Sequence, residues 1–137
     1  MPTLTDSKQV IERYVAALVA GDEPAIRDSF ADDATWWLVG DLPISGTRNG
    51  RDGILDEFLA TAMAYYEPGS VSLEVTGMVA EGDRVALEWT SRARTAAGEP
   101  YENFCIGVFT LREGRIAAVR EYMDTGYARR TAFAPRR

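Results

Sequence analysis

The chain has 137 residues, of which 46% are hydrophobic and 26% charged, and its 21 Asp and Glu residues exceed its 15 Lys and Arg residues to give a net charge of −6. These values predict one globular domain with a single core, and the acidic balance argues against a general nucleic-acid-binding role. The sequence has no histidine and one cysteine, Cys105, which excludes histidine-dependent nucleophilic mechanisms, histidine metal sites and an internal disulfide.

Other features of the sequence bear on location and partners. The polar N-terminus MPTLTDSKQ lacks the charged-then-apolar pattern of a secretory signal. No apolar run approaches the roughly 18 residues that a membrane span needs. We therefore expect a cytoplasmic protein with no membrane or nucleic-acid partner and no metal or other cofactor, whose chemistry depends on carboxyl, tyrosine, lysine or arginine side chains or on polarised water.

The first half of the chain predicts three helices and one strand. Apolar residues at helical spacing predict helices over residues 6–21 and 51–66, and residues 22–31 predict a shorter helix between them. The aromatic and β-branched segment ATWWLV, residues 34–39, predicts a strand. Residues 40–50, rich in Gly, Pro, Ser and Asn, predict a loop.

The second half predicts a series of strands joined by short turns that favour antiparallel hairpins. The predicted strands are residues 70–80, 84–95, 101–111 and 115–123. Helices followed by such strands predict an α+β fold, with the helices packed on the concave face of a curved sheet and a pocket between the two layers. We expect one domain over residues 1–137, in which residues from about 126 form a basic, flexible tail.

This order of segments resembles the SnoaL-like branch of the nuclear transport factor 2 superfamily. The similar segments are RYVAALVAGD, FADDATWW, GDLPISGTRNGRDGI, YENFCIGVFTLREGRI and VREYMDT. The resemblance implies a cone-shaped, cystatin-like roll with a curved mixed or antiparallel sheet, three helices from the N-terminal half, a deep apolar pocket and a homodimer. Members include ketosteroid isomerases, limonene-epoxide hydrolases, polyketide cyclases, dehydratases and binding proteins, so the fold alone does not choose the function.

Two members of this superfamily provide catalytic positions for comparison. Ketosteroid isomerase uses an aspartate base and an oxyanion site made of a tyrosine and a protonated aspartic acid. The resemblance places that tyrosine at Tyr14, the base at Leu38 and the protonated acid at Gly107, so two of the three groups are missing. It places one acid of limonene-epoxide hydrolase at Glu121, while the arginine and the second acid of that enzyme have no counterpart.

The segment VREYMDT places a carboxyl group among apolar neighbours. Strand alternation puts Val119, Glu121 and Met123 on one face, which we expect to be buried. A carboxyl in an apolar pocket loses hydration, which raises its pKa toward neutrality and suits proton transfer. Alternatively, Glu121 pairs with an arginine or with backbone donors, or a register shift of one residue gives the acid role to Asp124.

We predict three catalytic residues: Glu121 to transfer a proton, Tyr14 to donate a hydrogen bond to a substrate oxygen, and Asn103 to orient the substrate. The rest of the pocket wall is predicted to comprise Trp36, Leu38, Phe58, Met63, Trp89, Ser91, Cys105 and Met123. For each of these residues a purely structural role is the alternative.

The predicted function is that of a cofactor-free acid–base enzyme acting on a small, largely apolar, oxygenated molecule. The reaction is expected to be an isomerisation, cyclisation, dehydration or hydrolysis. A non-catalytic domain that binds a small hydrophobic ligand is the main alternative. A weaker alternative is an interface protein whose open sheet face binds a second subunit.

Overall fold

The computed structural model describes residues 4–135, with side chains from residue 7 onward. Most of its helices and strands begin and end within a few residues of the predicted positions. In chain order they are α1 (Leu4–Ala20), α2 (Glu23–Asp28), β1 (Phe30–Leu38), β2 (Gly46–Asn49), a π-helical turn (Gly53–Phe58), α3 (Leu59–Met63), β3 (Ser72–Glu81), β4 (Arg84–Arg94), β5 (Pro100–Arg112), β6 (Arg115–Met123) and α4 (Thr125–Arg130).

The six strands form one curved, mixed sheet in the order β2-β1-β6-β5-β4-β3. Strands β3 to β6 pair antiparallel with their neighbours in sequence, as their short turns predict. Strand β1 pairs parallel with β6, and this pairing places Leu38 opposite Glu121. The predicted α+β fold class is confirmed, and the β1–β6 pairing brings the first strand of the chain beside the strand that contains the candidate acid.

Strand β2 forms where the sequence predicted only a loop. It pairs antiparallel with the outer edge of β1, with Leu38 opposite Gly46 and Thr35 opposite Asn49. Its four residues, GTRN, have no apolar alternation, so the strand depends on the edge that β1 offers. Gly46, the first residue of β2, and Gly50, which follows the strand, have φ angles of 103° and 86°, which glycine adopts without steric cost.

The third predicted helix begins as a π-helical turn, in which hydrogen bonds span five residues, before it continues as α3. Ile54 and Phe58 in this turn are buried. The apolar spacing of the segment predicts a helix but does not distinguish the wider turn from an ordinary α-helical one. The turn places Phe58 and Leu59 on the side of the helix that faces the sheet.

Helix α1 packs across the sheet through its apolar face. Tyr14 is 2% exposed, and its ring packs edge-on against Phe30, with 5.4 Å between ring centroids, and against Phe109 at 5.9 Å. The Ser7 hydroxyl donates a 2.6 Å hydrogen bond to the Gly82 carbonyl and so joins the start of α1 to the β3–β4 turn. Among the helices of residues 4–135, none is both long and apolar enough to cross a membrane.

The C-terminal segment differs from the predicted flexible tail. Asp124 caps α4 through its side chain, and the side chains of Ala128 and Phe133 are buried in the core. These apolar residues lie between the basic ones, so the segment packs on the protein while its arginines stay exposed. Arg136 and Arg137, which belong to the predicted tail, lie outside the described residues.

Candidate functional site

A cavity of about 540 Å³ lies between the inner face of the sheet and helices α1 and α3. Among the described residues, every strand except β2 contributes to its wall, and Phe133 contributes from the segment after α4. The wall is mainly aliphatic and aromatic, with a few polar side chains. Both the volume and the composition are typical of sites for small organic molecules.

Nine of the eleven predicted site residues lie on this wall. They are Tyr14, Trp36, Phe58, Met63, Trp89, Ser91, Cys105, Glu121 and Met123. Strand alternation and helical spacing thus bring together residues from α1, the π-helical turn, α3 and four strands. Their functional roles remain predictions at this point.

The other two predicted residues lie beside the cavity. Leu38 is buried in the core. Asn103 is 1% exposed, and its Nδ2 donates to the Tyr101 hydroxyl at 2.9 Å and to the Asp124 carbonyl at 3.1 Å. Its Oδ1 accepts from the backbone N–H groups of Phe104, at 2.9 Å, and Asp124, at 3.3 Å. Because these bonds use the full capacity of the amide, Asn103 joins β5 to the end of β6 and has no group left for a substrate.

Glu121 lies on β6 between Leu38 of β1 and Gly107 of β5. It is 9% exposed, and its Oε1 accepts a 2.9 Å hydrogen bond from Trp36 Nε1. Among residues 4–135 no arginine forms an ion pair with this carboxyl. Burial raises the pKa of Glu121 to about 7, while the hydrogen bond from Trp36 acts in the opposite direction. Near neutral pH the group therefore exists in both protonation states.

Tyr14 projects from α1 onto the same cavity wall. Burial, with a smaller contribution from the charge of Glu121, raises the pKa of its hydroxyl far above the ordinary value. The hydroxyl is therefore always protonated at neutral pH and available as a donor. Tyr14 and Glu121 both line this cavity.

The residue opposite Glu121 on β5 is Gly107, and the ring of Trp89 covers it. A Cβ atom on Gly107 would lie 3.2 and 3.3 Å from two Trp89 ring carbons and 2.9 Å from a ring carbon of Phe109. Gly107 is the position that the resemblance assigns to the protonated acid of the isomerase, and in this protein the rings of Trp89 and Phe109 occupy the space beside it. Glu121 is the one carboxyl residue on the cavity wall among the described residues.

Ser91 and Cys105 form a small polar group on neighbouring strands. The Trp89 Nε1 donates to the Ser91 hydroxyl at 3.0 Å, and Ser91 Oγ lies 3.7 Å from Cys105 Sγ. Burial is the main cause that raises the pKa of the Cys105 thiol, to about 12. Cys105 is therefore a neutral thiol at physiological pH rather than a nucleophilic thiolate.

The wall also includes residues that were not assigned to the site from the sequence, among them the aromatic residues Tyr66, Tyr101 and Phe133. Tyr101 shares the strand parity of Asn103 and Cys105, so alternation was a signal that pointed inward. Tyr66 lies in the connection after α3 and Phe133 lies after α4. Tyr66 ends the predicted helix 51–66 and lies four residues after Ala62, a helical spacing that was a signal for the cavity side. The segment that contains Phe133 has no period that predicts which way its side chains point.

Comparison with known families decides the classification. The model of the SnoaL-like domain family matches residues 11–119. The chain belongs to the SnoaL-like family. The matched range of this SnoaL-like domain includes Tyr14 and ends just before Glu121, so the match itself says nothing about that carboxyl. No curated protein is similar enough in sequence to match the chain.

Solved structures agree with this classification. An NTF2-like protein from Burkholderia xenovorans LB400 has a TM-score of 0.79 at 21% identity, over 96% of this chain and 99% of that one. TerC, co-crystallised with polyporic acid, has a TM-score of 0.82 at 22% identity, over 94% and 99%. A candidate SnoaL-like polyketide cyclase from Jannaschia sp. CCS1 has a TM-score of 0.81 at 14% identity, over 99% and 97%. At these identities the likeness shows the fold alone.

Proposed function

We propose that this SnoaL-like domain is an acid–base enzyme that acts without a cofactor on a small, largely apolar, oxygenated molecule. The main support is the environment of Glu121, whose carboxyl lies buried on the wall of a cavity of about 540 Å³ with a pKa of about 7. A group with that pKa both accepts and returns a proton near neutral pH. The similar fold of TerC, which was co-crystallised with polyporic acid, supports a small molecule as the occupant.

In the proposed chemistry the Glu121 carboxylate removes a proton from a carbon next to a carbonyl group. The electron pair of the broken C–H bond forms a carbon–carbon double bond while the π pair of the carbonyl moves to its oxygen, and the Tyr14 hydroxyl donates a hydrogen bond to the resulting oxyanion. Return of the proton to a different carbon completes an isomerisation, and attack of the enolate carbon on another carbonyl completes a cyclisation. Dehydration and hydrolysis use the same carboxyl as acid and base.

The first prediction is that Glu121→Gln abolishes catalysed proton exchange at carbon. Wild type and variant are incubated in D₂O with a panel of small cyclic ketones such as 2-tetralone, and deuterium uptake next to the carbonyl is followed by NMR. We expect the rate above background to fall by about 10²–10⁴-fold, the usual contribution of a general base. The glutamine side chain preserves the shape and still accepts the bond from Trp36.

Asp124→Asn is the matched control, because Asp124 is exposed and its side chain accepts a hydrogen bond from the Tyr127 N–H as the α4 cap, a role that asparagine also fills. This variant should exchange at the wild-type rate. The proposal fails if Asp124→Asn loses the activity instead, or if no ketone in the panel exchanges faster with wild type than with Glu121→Gln.

One observation favours a non-catalytic binding domain as the second candidate. The two positions that the resemblance assigns to isomerase acids are Leu38, which is buried in the core, and Gly107, which Trp89 covers. A domain of this kind binds hydrophobic molecules in the same cavity but shows no exchange in the experiment above.

The homodimer implied by the resemblance and the cytoplasmic location expected from composition stay predictions.

A further inference from the structure

A second group of polar side chains lies on the cavity wall, some distance from Glu121. Glu121 pairs across the sheet with Gly107, and Tyr101 lies on the same strand six residues before Gly107, about 20 Å along the backbone at the usual rise of a strand. The wall between these positions includes the apolar side chains of Met123 and Trp89. The same stretch also has the Ser91 hydroxyl, which accepts a hydrogen bond from Trp89 Nε1, and the neutral Cys105 thiol. The cavity therefore has polar groups toward both ends and a mainly apolar wall between them.

Tyr101 is held in a fixed orientation at this second end. Its side chain is buried, at 4% exposure, and its hydroxyl accepts a 2.9 Å hydrogen bond from Asn103 Nδ2. Asn103 is in turn fixed by the backbone of Asp124. A tyrosine hydroxyl has a single proton, so a bond accepted from Asn103 leaves that proton free to be donated into the cavity.

Tyr66 stands beside Tyr101, with 5.2 Å between ring centroids and an angle of 63° between the planes. Burial is the main cause that raises the pKa of both hydroxyls, so both are protonated at neutral pH. A side-chain hydrogen bond between them raises the pKa of Tyr66 and lowers that of Tyr101, so Tyr66 donates to Tyr101 and the Tyr101 proton remains for a bound molecule. Tyr66, Tyr101 and Glu121 all line one cavity, so one bound molecule can reach both polar ends.

We propose that Tyr66 and Tyr101 form a second oxygen-binding site and that the substrate has two oxygen functions joined by a rigid apolar body. One oxygen lies at Glu121 and Tyr14, and the other accepts a hydrogen bond from Tyr101, whose hydroxyl is oriented by the bonds that it accepts from Asn103 and Tyr66. Asn103 is a positioning residue that acts through Tyr101. The assignment of the first end rests on the proposed function, whereas binding at the second end does not depend on catalysis.

The experiment compares rigid diols with their matched mono-ols: hydroquinone with phenol, 2,6-dihydroxynaphthalene with 2-naphthol, and 4,4′-dihydroxybiphenyl with 4-phenylphenol. Affinities are measured by isothermal titration calorimetry at pH 7, so the result does not depend on turnover. We expect at least one diol to bind wild type about fivefold more tightly than its mono-ol, the usual net effect of one neutral hydrogen bond. The three diols differ in the distance between their two hydroxyl groups, so together they test three separations of the two sites.

The double variant Tyr66→Phe/Tyr101→Phe should lose this diol preference while it keeps its affinity for the mono-ol within about twofold, because only hydroxyl groups are removed. Tyr122→Phe is the control, since Tyr122 lies off the cavity wall and its hydroxyl accepts a bond from Arg120. The proposal is overturned if no diol is preferred, if the preference survives in the double variant, or if Tyr122→Phe also removes it.

Asn103→Asp tests the positioning role. A carboxylate cannot donate to Tyr101, so the hydroxyl turns its proton toward residue 103 and away from the cavity. We expect the diol preference to disappear with little change in mono-ol affinity, a selective effect that general loosening of the structure would not produce. Loss of proton exchange in Glu121→Gln and loss of the diol preference in Tyr66→Phe/Tyr101→Phe are measured separately, so failure of the proposed function and failure of this proposal are distinct results.

Discussion

The carboxyl of Glu121 accepts one hydrogen bond, from Trp36, in surroundings that otherwise favour its neutral form. Burial raises the pKa of this group from an ordinary 4.5 to about 7. At a pH between these two values, the Glu121 carboxyl is protonated in the folded protein and ionised in the unfolded chain. Unfolding releases that proton. The free energy of unfolding contributed by Glu121 is therefore highest at low pH, falls as the pH rises from 4.5 to 7, and is constant above that range.

Glu121→Gln should reverse this loss of stability. The variant has no ionisable group at position 121, so it lacks the pH-dependent loss that wild type shows. Its free energy of unfolding relative to wild type should therefore rise by about 3 kcal/mol from pH 4.5 to pH 8, since each unit of pKa shift corresponds to about 1.4 kcal/mol. Urea denaturation at several pH values measures the difference. Glu12→Gln on the exposed side of α1 is the control, and the explanation is wrong if both substitutions show the same pH dependence.

Strand alternation was sufficient to predict that Glu121 points inward, but not what it contacts. Its hydrogen-bond partner Trp36 is 85 residues away in the sequence, and the two meet because β1 pairs parallel with β6. Local sequence patterns do not report such a pairing. Asn103 differs, because the antiparallel pairing of β5 with β6, which places Cys105 opposite Met123, already brings Asp124 at the end of β6 beside it.

At the scale of single elements, β4 and β5 are closely fitted where Trp89 covers Gly107. Gly107→Ala should lower the free energy of unfolding by about 1–3 kcal/mol, because the new methyl group lies too close to the rings of Trp89 and Phe109. The cost should shrink in a Trp89→Leu background, since the two positions are coupled. Chemical denaturation measures both effects.

Gly53→Ala is the matched control for this substitution. Gly53 begins the π-helical turn with nothing within 4 Å of an added Cβ, and alanine is the better helix former. Its stability should be equal to or higher than that of wild type. An equal loss in Gly53→Ala and Gly107→Ala would contradict the packing argument.

The elements differ in how well the sequence predicts them. β3 to β6 have alternating or apolar residues and short turns, which explains why their predicted bounds match the structure closely. β2 and the π-helical turn were not predicted, because β2 forms only on the edge of β1 and the wider turn has the same apolar spacing as an α-helix. In both cases tertiary contacts, and not local preference, decide the conformation.

At the scale of the whole molecule, the segment after α4 completes the cavity. Phe133 is 7% exposed, packs against Tyr65 with 4.3 Å between ring centroids, and contributes to the cavity wall. The sequence did not indicate that Phe133 contributes to the cavity wall, because the arginine-rich composition of this segment predicted a solvated tail. The two isolated apolar residues, Ala128 and Phe133, are too few to form a periodic pattern.

Phe133→Ala should lower the free energy of unfolding by about 3 kcal/mol or more, the usual cost of removing a buried phenylalanine ring. Phe104→Ala provides the comparison, because Phe104 is 66% exposed on the outer face of the sheet and its loss should change stability by less than about 0.5 kcal/mol. Urea denaturation of the two variants under identical conditions measures the difference. Equal losses would show that the C-terminal segment does not contribute to the core.

The parallel pairing of β1 with β6 also has a consequence for the order of events during folding. Hairpins such as β4–β5 join near neighbours in the chain, whereas β1 meets β6 only after a long loop has closed, which is the slower kind of step. Until that step, Glu121 has neither the indole of Trp36 nor the enclosure that shifts its acidity. A chain in which every hairpin has formed but β1 has not yet paired with β6 would have an ionised Glu121 with ordinary acidity. The proposed reactivity of Glu121 therefore depends on completion of the sheet.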